Sequence, residues 1–520
     1  MTASRSEGDA RSLASTEEYV GLVRGTRDWL QRDYARLATL ERRLLDQFAR
    51  AGYRPVRTPV LERSDLHERK SGAGIVAKLF EVSGAGTAGI SLRPELTAGI
   101  VRAYAESGEP AALPWRASMS GPVFRFMPPG RIHDREFTQV GVELIGAGGP
   151  AADAEVIWLA DWSLRALGVD RPVIRIGHVG LILELLGKSG LPVAATSALV
   201  ESLSEAASEG EGVRTLESAL DRLAAWLGSA VAEGELSPPR TTAPAEDQAV
   251  DRLFRHLVPD VAGRRSGREI IGRLRRKWEL GHSLHDALRN VREQIRALAD
   301  LHGPARVVLD RLDGEFAATA PASAAAIREL TDLLDQHGVD LERVELDLGF
   351  GRGIGFYTQM IFEVSVPTPE GPLEVCGGGR YDGLARVLGS DRDDRGAGFA
   401  FGLERLHKAL ASSDAEADDT PPARGYLVTT TAGPATGGAR EAAALATFLR
   451  DRVDLPIVLS DLGFDEAVSY ARELGLEHLV VVGPTIEVWN LEDGDVRSVS
   501  GGELVEQLRS RLSVVRGDAL

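Results

Sequence analysis

The chain has 520 residues, 43% of them hydrophobic, enough apolar material for several cores and for two to four domains. Its formal net charge of −17 disfavours unspecific binding to nucleic acid but leaves room for a local basic patch. The single cysteine, Cys376, rules out an internal disulfide, no apolar run reaches the length of a membrane span, and the N-terminus has no apolar signal core.

These limits predict a cytoplasmic protein with no membrane role, whose residues 1–20 form a disordered tail. Leu30, Leu37, Leu40, Leu44 and Phe48 fall on helical spacing and predict an amphipathic helix over 26–50. "YRPVRTPVLE" (53–62) alternates and is punctuated by Pro55 and Pro59, which predicts a strand. "GISLRPELTAGIVRAYAESG" (89–108) reads as a strand leading into a helix near Pro94, and 113–146 as two antiparallel strands joined by a loop, "MPPGRIHDR". Helical periodicity returns over 153–168, and "VIRIGHVGLILELLGKSG" is a short strand followed by a helix.

From about 190 to 340 the composition shifts to Ala, Leu, Arg and Glu, which predicts an inserted helical module over 186–340. Within it "RRSGREIIGRLRRKW" (264–278) carries seven basic residues and one acid, a pattern of a solvated helix face or of a contact for RNA or an acidic partner. Residues 341–411 return to glycine-punctuated β sequence and then a helix. "SSDAEADDTPPA" predicts a linker at 412–423, and 424–520 alternates strand and helix as a small α/β domain.

Several polar residues sit where a core would exclude them. Arg125 lies on the first strand of the charged hairpin; Gln139 and Glu143 lie four residues apart on the return strand and share a face. An acid inside the apolar run "VGVELIG" needs a cationic or donor partner, which a ligand or a plain structural salt bridge could supply. Glu95 and Thr97 stand at a strand–helix junction where backbone amides are free. "GFGRGIGFYTQMIFEV" (349–364) sets Arg352 between glycines, "CGGGRYDGL" (376–384) reads as a tight glycine turn bearing Tyr381, and "GAGFAFGLERL" (396–406) as a small-residue strand running into a helix with Arg405 near its start. Each of these signals is weak alone.

Taken together and in order, the segments resemble the histidyl-tRNA synthetase family of class II synthetase-like proteins. "RGTRDW" (24–29) is similar to its N-terminal signature, "VRTPVLE" to motif 1 with Pro59, "FRFMPPGRIHDREFTQVGVE" to motif 2, "GRGIGFYT" and "CGGGRYDGL" to the two histidine-site motifs, and "GFAFGLERL" to motif 3. The resemblance covers about 24–180 and 344–410, and the last hundred residues resemble the family's anticodon-binding-type domain. It implies an α+β fold: a class II antiparallel sheet core with helices in two parts, 21–185 and 341–411, the inserted helical module, and the C-terminal α/β domain. It also implies a homodimer formed through motif 1.

By the same resemblance Glu95, Thr97, Gln139 and Glu143 hold the amino group and imidazole of histidine, with Tyr357 and Tyr381 as aromatic neighbours. Arg125 and Arg405 match the motif 2 and motif 3 arginines on the ATP phosphates, and Arg352 the arginine at the reacting carboxylate; these three are the catalytic candidates. No metal site is expected.

Two departures bear on activity. Where the family's motif 2 has a glutamate that accepts from the adenine amine, this chain has Met127, preceded by Phe126. The C-terminal domain has nine arginines, no lysine and fifteen acids, a poor surface for an anticodon stem. The stretch from "REFTQVGVELIG" through "IRIGHVGLILELL" resembles the family's paralogue, the regulatory subunit of ATP phosphoribosyltransferase in histidine biosynthesis. That predicts a histidine-binding regulatory protein with a catalytic phosphoribosyltransferase subunit as partner and no certain cofactor. The alternative is an active histidine-activating enzyme that uses ATP with magnesium: a histidine–tRNA ligase with tRNA as partner, or an adenylating paralogue with another acceptor.

Overall fold

The computed structural model describes residues 21–71, 78–84, 86, 88–107, 112–126, 134–169, 171–189, 221, 225, 286–349, 356–391, 394–411, 423–430, 438–451, 455–500 and 503–504. Met127, Arg352, the tail 1–20, the basic stretch 264–278 and nearly all of the expected linker lie outside them. The chain divides into two compact units, Met1–Ala415 and Glu416–Leu520.

In the first unit a leucine stripe begins the core. Leu37, Leu40, Leu44 and Phe48 recur at three- and four-residue intervals along α1 (Gln31–Arg50) and are all buried. Leu30, expected on that stripe, instead precedes the helix and is exposed. The expected strand at 53–62 is two short ones, β1 (Arg54–Pro55) and β2 (Leu61–Arg63), which enter different sheets. Pro55 and Pro59 explain the break, since neither can donate to a ladder.

Between β2 and α3 (Thr97–Glu106) lie α2 (Ser64–Ser71), β3 (Phe80–Glu81) and β4 (Ile90–Leu92); β2, β4 and β3 form a small antiparallel sheet. The long hairpin β5 (Trp115–Phe124) and β6 (Glu136–Ile145) pairs in unbroken register from Trp115 with Ile145 to Phe124 with Glu136. It belongs to a nine-stranded sheet of order β1-β5-β6-β12-β11-β10-β7-β9-β8. The other strands are β7 (Val173–His178), β8 (His302–Pro304), β9 (Val344–Asp347), β10 (Met360–Val366), β11 (Leu373–Arg380) and β12 (Gly396–Gly402). Pairing is antiparallel from β5 through to β7.

Helices α4 (Pro150–Ala166) and α5 (Val179–Lys188) pack on this sheet and share its main core with α6 (Ala305–Glu315) and α7 (Pro321–Gln336). Leu298, Val308, Leu312, Ile327 and Leu330 join Leu44, Ile157 and Phe399 in one apolar cluster. The part of the expected inserted module that the structure describes, apart from the isolated residues 221 and 225, thus contributes to the same core as the sheet, and β8 extends the sheet itself.

The run Gly377-Gly378-Gly379, expected as a tight turn, is the middle of strand β11. A Cβ at Gly378 would collide with the Gly398 carbonyl and the Phe362 and Phe399 side chains, and one at Gly379 with the Met360 carbonyl and the Tyr357 ring, so these two glycines serve close approach rather than chain reversal. The reversal comes at Gly383, whose φ of +79° is left-handed and precedes the short helix α8 (Leu384–Val387). Strand β12 then feeds α9 (Leu403–Ala411).

In the second unit β13 (Ala423–Thr430), β14 (Ile457–Leu459), β15 (Leu476–Val482), β16 (Ile486–Asn490) and β17 (Val496–Val499) form a mixed sheet of order β14-β13-β15-β16-β17. Strand alternation sends Tyr426 and Val428 toward α10 (Gly438–Arg450) and Leu427 toward α11 (Phe464–Glu473). Among the described residues no helix is long and apolar enough to cross a membrane.

One buried ion pair locks the first unit. Arg380, at the end of β11 and 1% exposed, donates from Nε to Asp153 Oδ1 at 2.7 Å, and from Nη1 to Asp382 Oδ1 at 2.9 Å and the Ala147 carbonyl at 3.1 Å. Asp153 lies in the first turn of α4, so the pair fixes that helix to the sheet. Asp153→Ala removes the more buried of the two carboxylates on this guanidinium, leaving Asp382, and should cost about 3 kcal/mol in urea unfolding. The double variant Asp153→Leu/Arg380→Met should recover much of that loss.

Candidate binding site

The site gathers where β6, the start of α3, the end of β11 and helix α2 meet. Glu143 points inward from the C-terminal part of β6 and is 1% exposed. It faces Gly398 across the β6–β12 ladder, where any Cβ would occupy its carboxylate. Its Oε2 accepts a hydrogen bond from the Tyr381 hydroxyl, and Thr97 supplies another side-chain hydrogen bond. Burial dominates these contacts and pushes the Glu143 carboxyl up to about 7, with Thr97, Tyr381 and Lys70 pulling the other way. Burial, and then the Glu143 charge, raise the Tyr381 phenol well above its usual range.

Glu95 has the opposite character. Burial alone would raise it, but Lys70 2.7 Å away, the neighbouring His67 and the amide of Ala98 outweigh that and hold it at about 2. Its carboxylate caps α3, accepting from the amides of Thr97 at 2.7 Å and Ala98 at 3.0 Å. The junction therefore spends its free amides on its own glutamate. Gln139 Oε1 accepts from the Leu96 amide at 3.2 Å, which brings β6 against the same turn.

Tyr357 lies against Gly379, whose added Cβ would stand 2.9 Å from the ring, and its own ring is 4.1 Å from that of Phe356. Glu95, Thr97, Gln139, Glu143, Tyr357 and Tyr381, read separately along the chain, thus form one neighbourhood. Arg125 joins it from the end of β5: its Nε donates to the Pro94 carbonyl at 2.9 Å and its guanidinium lies 5.1 Å from the Phe137 ring. Arg405 is exposed on the first turn of α9. Its predecessor Glu404 accepts from the Thr138 amide at 2.9 Å, and Gly402 pairs with Gln139, so α9 starts at the Gln139 end of β6.

Three contributors escape the sequence pattern. Lys70 and His67, on α2, are 4% and 1% exposed and face Glu95. Lys70 also stands 4.0 Å from the Phe356 ring centroid. Both His67 nitrogens are buried without a hydrogen-bond partner, and burial lowers its pKa. Arg93, also buried, donates to the Pro122 carbonyl at 2.9 Å and the Thr58 carbonyl at 3.0 Å, bracing the turn that carries Glu95. "HERK" carries the composition of a solvated helix end, and no periodicity marks it otherwise. Among the described residues no group of three or more His, Cys, Asp or Glu side chains could hold a metal ion.

The sequence pattern that describes histidyl-tRNA synthetases matches residues 25–225 and 249–406, more than half of the chain. The chain belongs to the histidyl-tRNA synthetase family. A histidine–tRNA ligase of Methanosarcina acetivorans is 30% identical over 464 residues, covering 89% of this chain and 91% of that one. The family's other branch is also near: an ATP phosphoribosyltransferase regulatory subunit of Moorella thermoacetica is 32% identical over 412 residues, covering 78% and 85%. Among solved structures, apo histidyl-tRNA synthetase of S. aureus superimposes with a TM-score of 0.60 at 23% identity, over 94% of this chain and all of that one. The likeness establishes the α+β class II fold, with its antiparallel sheet core.

The two carboxylates give the site a definite pH signature. An unfolded glutamate titrates near 4.5, so a folded Glu143 at about 7 binds a proton more tightly than the unfolded chain does. Its contribution to stability therefore falls as pH rises from 4.5 to 7. Glu95, held at about 2, contributes stability that is present above 4.5 and lost as pH falls through 2, outside that window. Between pH 5 and 8 Glu143→Gln should gain on the wild type by up to about 3 kcal/mol, because each tenfold difference in proton affinity is worth about 1.4 kcal/mol. Urea midpoints at the two pH values check this; parallel behaviour of the two proteins would refute it.

Proposed function

We propose that this chain binds free histidine at the Glu95–Glu143 site and serves as a regulatory subunit of ATP phosphoribosyltransferase rather than as a ligase. The observation that carries the binding is the pairing of two carboxylates of opposite character. Glu95 is ionised and suits an α-ammonium. Glu143, at about 7, is matched to an imidazole near 6.5 and shares a proton with it readily. Thr97, Gln139, Tyr357 and Tyr381 complete the surround. The regulatory role is supported by Met127, which offers adenine no acceptor, and by the acidic second unit. The named likeness to the Moorella subunit agrees with it. Free histidine, a catalytic phosphoribosyltransferase subunit and a second copy of the chain, paired around Pro59, are the partners under this reading.

A second reading keeps the enzyme. Arg125 stands one hydrogen bond from the Glu95 turn, Arg405 starts at the Gln139 end of β6, and both, with Arg352, suit phosphate or carboxylate oxygens. A ligase of Thermococcus kodakarensis aligns with 95% of this chain and 99% of its own length, second unit included. Under that reading ATP is the substrate, magnesium travels with its phosphates, and tRNA or another acceptor takes the histidyl group.

Calorimetry with histidine tests the binding. Glu143→Ala should weaken it at least tenfold, the loss of one charge-assisted hydrogen bond worth about 1.5–3 kcal/mol; no binding to the wild type would remove the assignment.

Histidine-dependent exchange of pyrophosphate into ATP separates the readings. The wild type should show none, and Met127→Glu should move toward it, because a site missing one polar partner loses discrimination and orientation steeply. Exchange accompanied by tRNA charging would make the protein a ligase; exchange without charging would point to another acceptor.

A further inference from the structure

Among the described residues, Lys70 is the ammonium group that meets the site's carboxylates, and it comes from the protein itself. Its Nζ lies 2.7 Å from Glu95 Oε2 with its side chain 3% exposed. The Phe356 ring stands 4.0 Å from it, and its charge is felt by Glu143 as well as by Glu95. The surroundings are those of a primary amine recognised by a protein: an ionised carboxylate, a ring face beneath, a second acid nearby, and little water. A free ammonium ligand needs the same partners. Glu95 Oε2 already accepts from Lys70 and from the Thr97 amide, so a ligand ammonium competes with Lys70 for it.

We propose that Lys70 is a resident surrogate for the ammonium of the ligand: it neutralises Glu95 from α2 when the site is empty, and an amine ligand binds by displacing it. The inference rests on the histidine reading only for the identity of that ligand. Two physical consequences follow. Glu95, its side chain 16% exposed, and its helix cap are never left as an unpaired charge. The ligand's ammonium gains only the difference between its own contact with Glu95 and that of Lys70, so Lys70 sets the affinity threshold of the site. It also selects among ligands, because a molecule with the imidazole but no amine finds Glu95 already satisfied and leaves Lys70 in place. In the wild type His67 stands further back, its Nδ1 3.9 Å from Glu95 Oε1 and neither nitrogen hydrogen-bonded, and Arg69 on the same helix is turned to Asp65.

The test removes the surrogate and supplies it from solution. In Lys70→Ala, n-propylammonium chloride, which reproduces the part of the side chain beyond Cβ, should raise the melting temperature well beyond an equal concentration of tetramethylammonium chloride, and should do so for the variant and not for the wild type. In Lys70→Met, which keeps the apolar stem, histidine should bind at least tenfold more tightly than to the wild type, while imidazolepropionate, which lacks the amine, should not gain. An alanine variant that folds only with the amine supports the proposal; one that the amine does not stabilise overturns it. Histidine bound equally or more weakly by Lys70→Met also overturns it, because Lys70 would then hold the ligand rather than its place. If histidine binds neither protein while propylammonium still rescues Lys70→Ala, the histidine reading falls and the surrogate role stands for another primary amine.

Discussion

A carboxylate in the middle of a nine-stranded sheet is the constraint around which the first unit is arranged. Glu143 shares its face of β6 with the buried Ile145, while Val140, Val142 and Leu144 bury the opposite face. Burial of an acid is tolerated only where donors meet it and space is left for it. Gly398 leaves the space from one neighbouring strand. Tyr381, delivered by the end of β11, and Thr97, by the first turn of α3, provide the donors. Three elements far apart in sequence are thereby given their relative positions by one side chain.

The rest of the first unit holds those elements still. Arg380 precedes Tyr381 and is clamped to Asp153, so the tyrosine is set by an ion pair that also anchors α4. Glu95 precedes Thr97 by two residues and fixes the helix start through its own carboxylate. The site is thus built on strand ends and helix starts, with each polar group oriented by a partner already committed elsewhere.

Much of this is legible along the chain, and the exceptions have identifiable causes. Glu143 declares itself because an acid interrupts an apolar run, and the hairpin that carries it is plain from two alternating segments around a Pro/Gly loop. Glycines 377–379 read as a turn because the composition of a turn and of a crowded strand is the same; what distinguishes Gly378 and Gly379 is the ring or carbonyl lying opposite, which belongs to another part of the sequence. The helices over 305–336 look alike whether they pack on one another or on the sheet, since periodicity names the buried face and not its partner. Lys70 is invisible for a related reason: a lysine at a helix end has the statistics of a solvated one, and only the tertiary approach of Glu95 makes it interior.

Arg93 has a mechanical meaning beyond its hydrogen bonds. One guanidinium is shared between carbonyls at Thr58 and Pro122, from two segments that prolines leave short of amide donors, and it sits two residues before Glu95. The segment at 58 and the end of β5 cannot shift separately without leaving a charge or a carbonyl unpaired in the interior. A displacement of the proline-bearing segment would therefore have to break the Arg93 contacts or carry along the turn that bears Glu95.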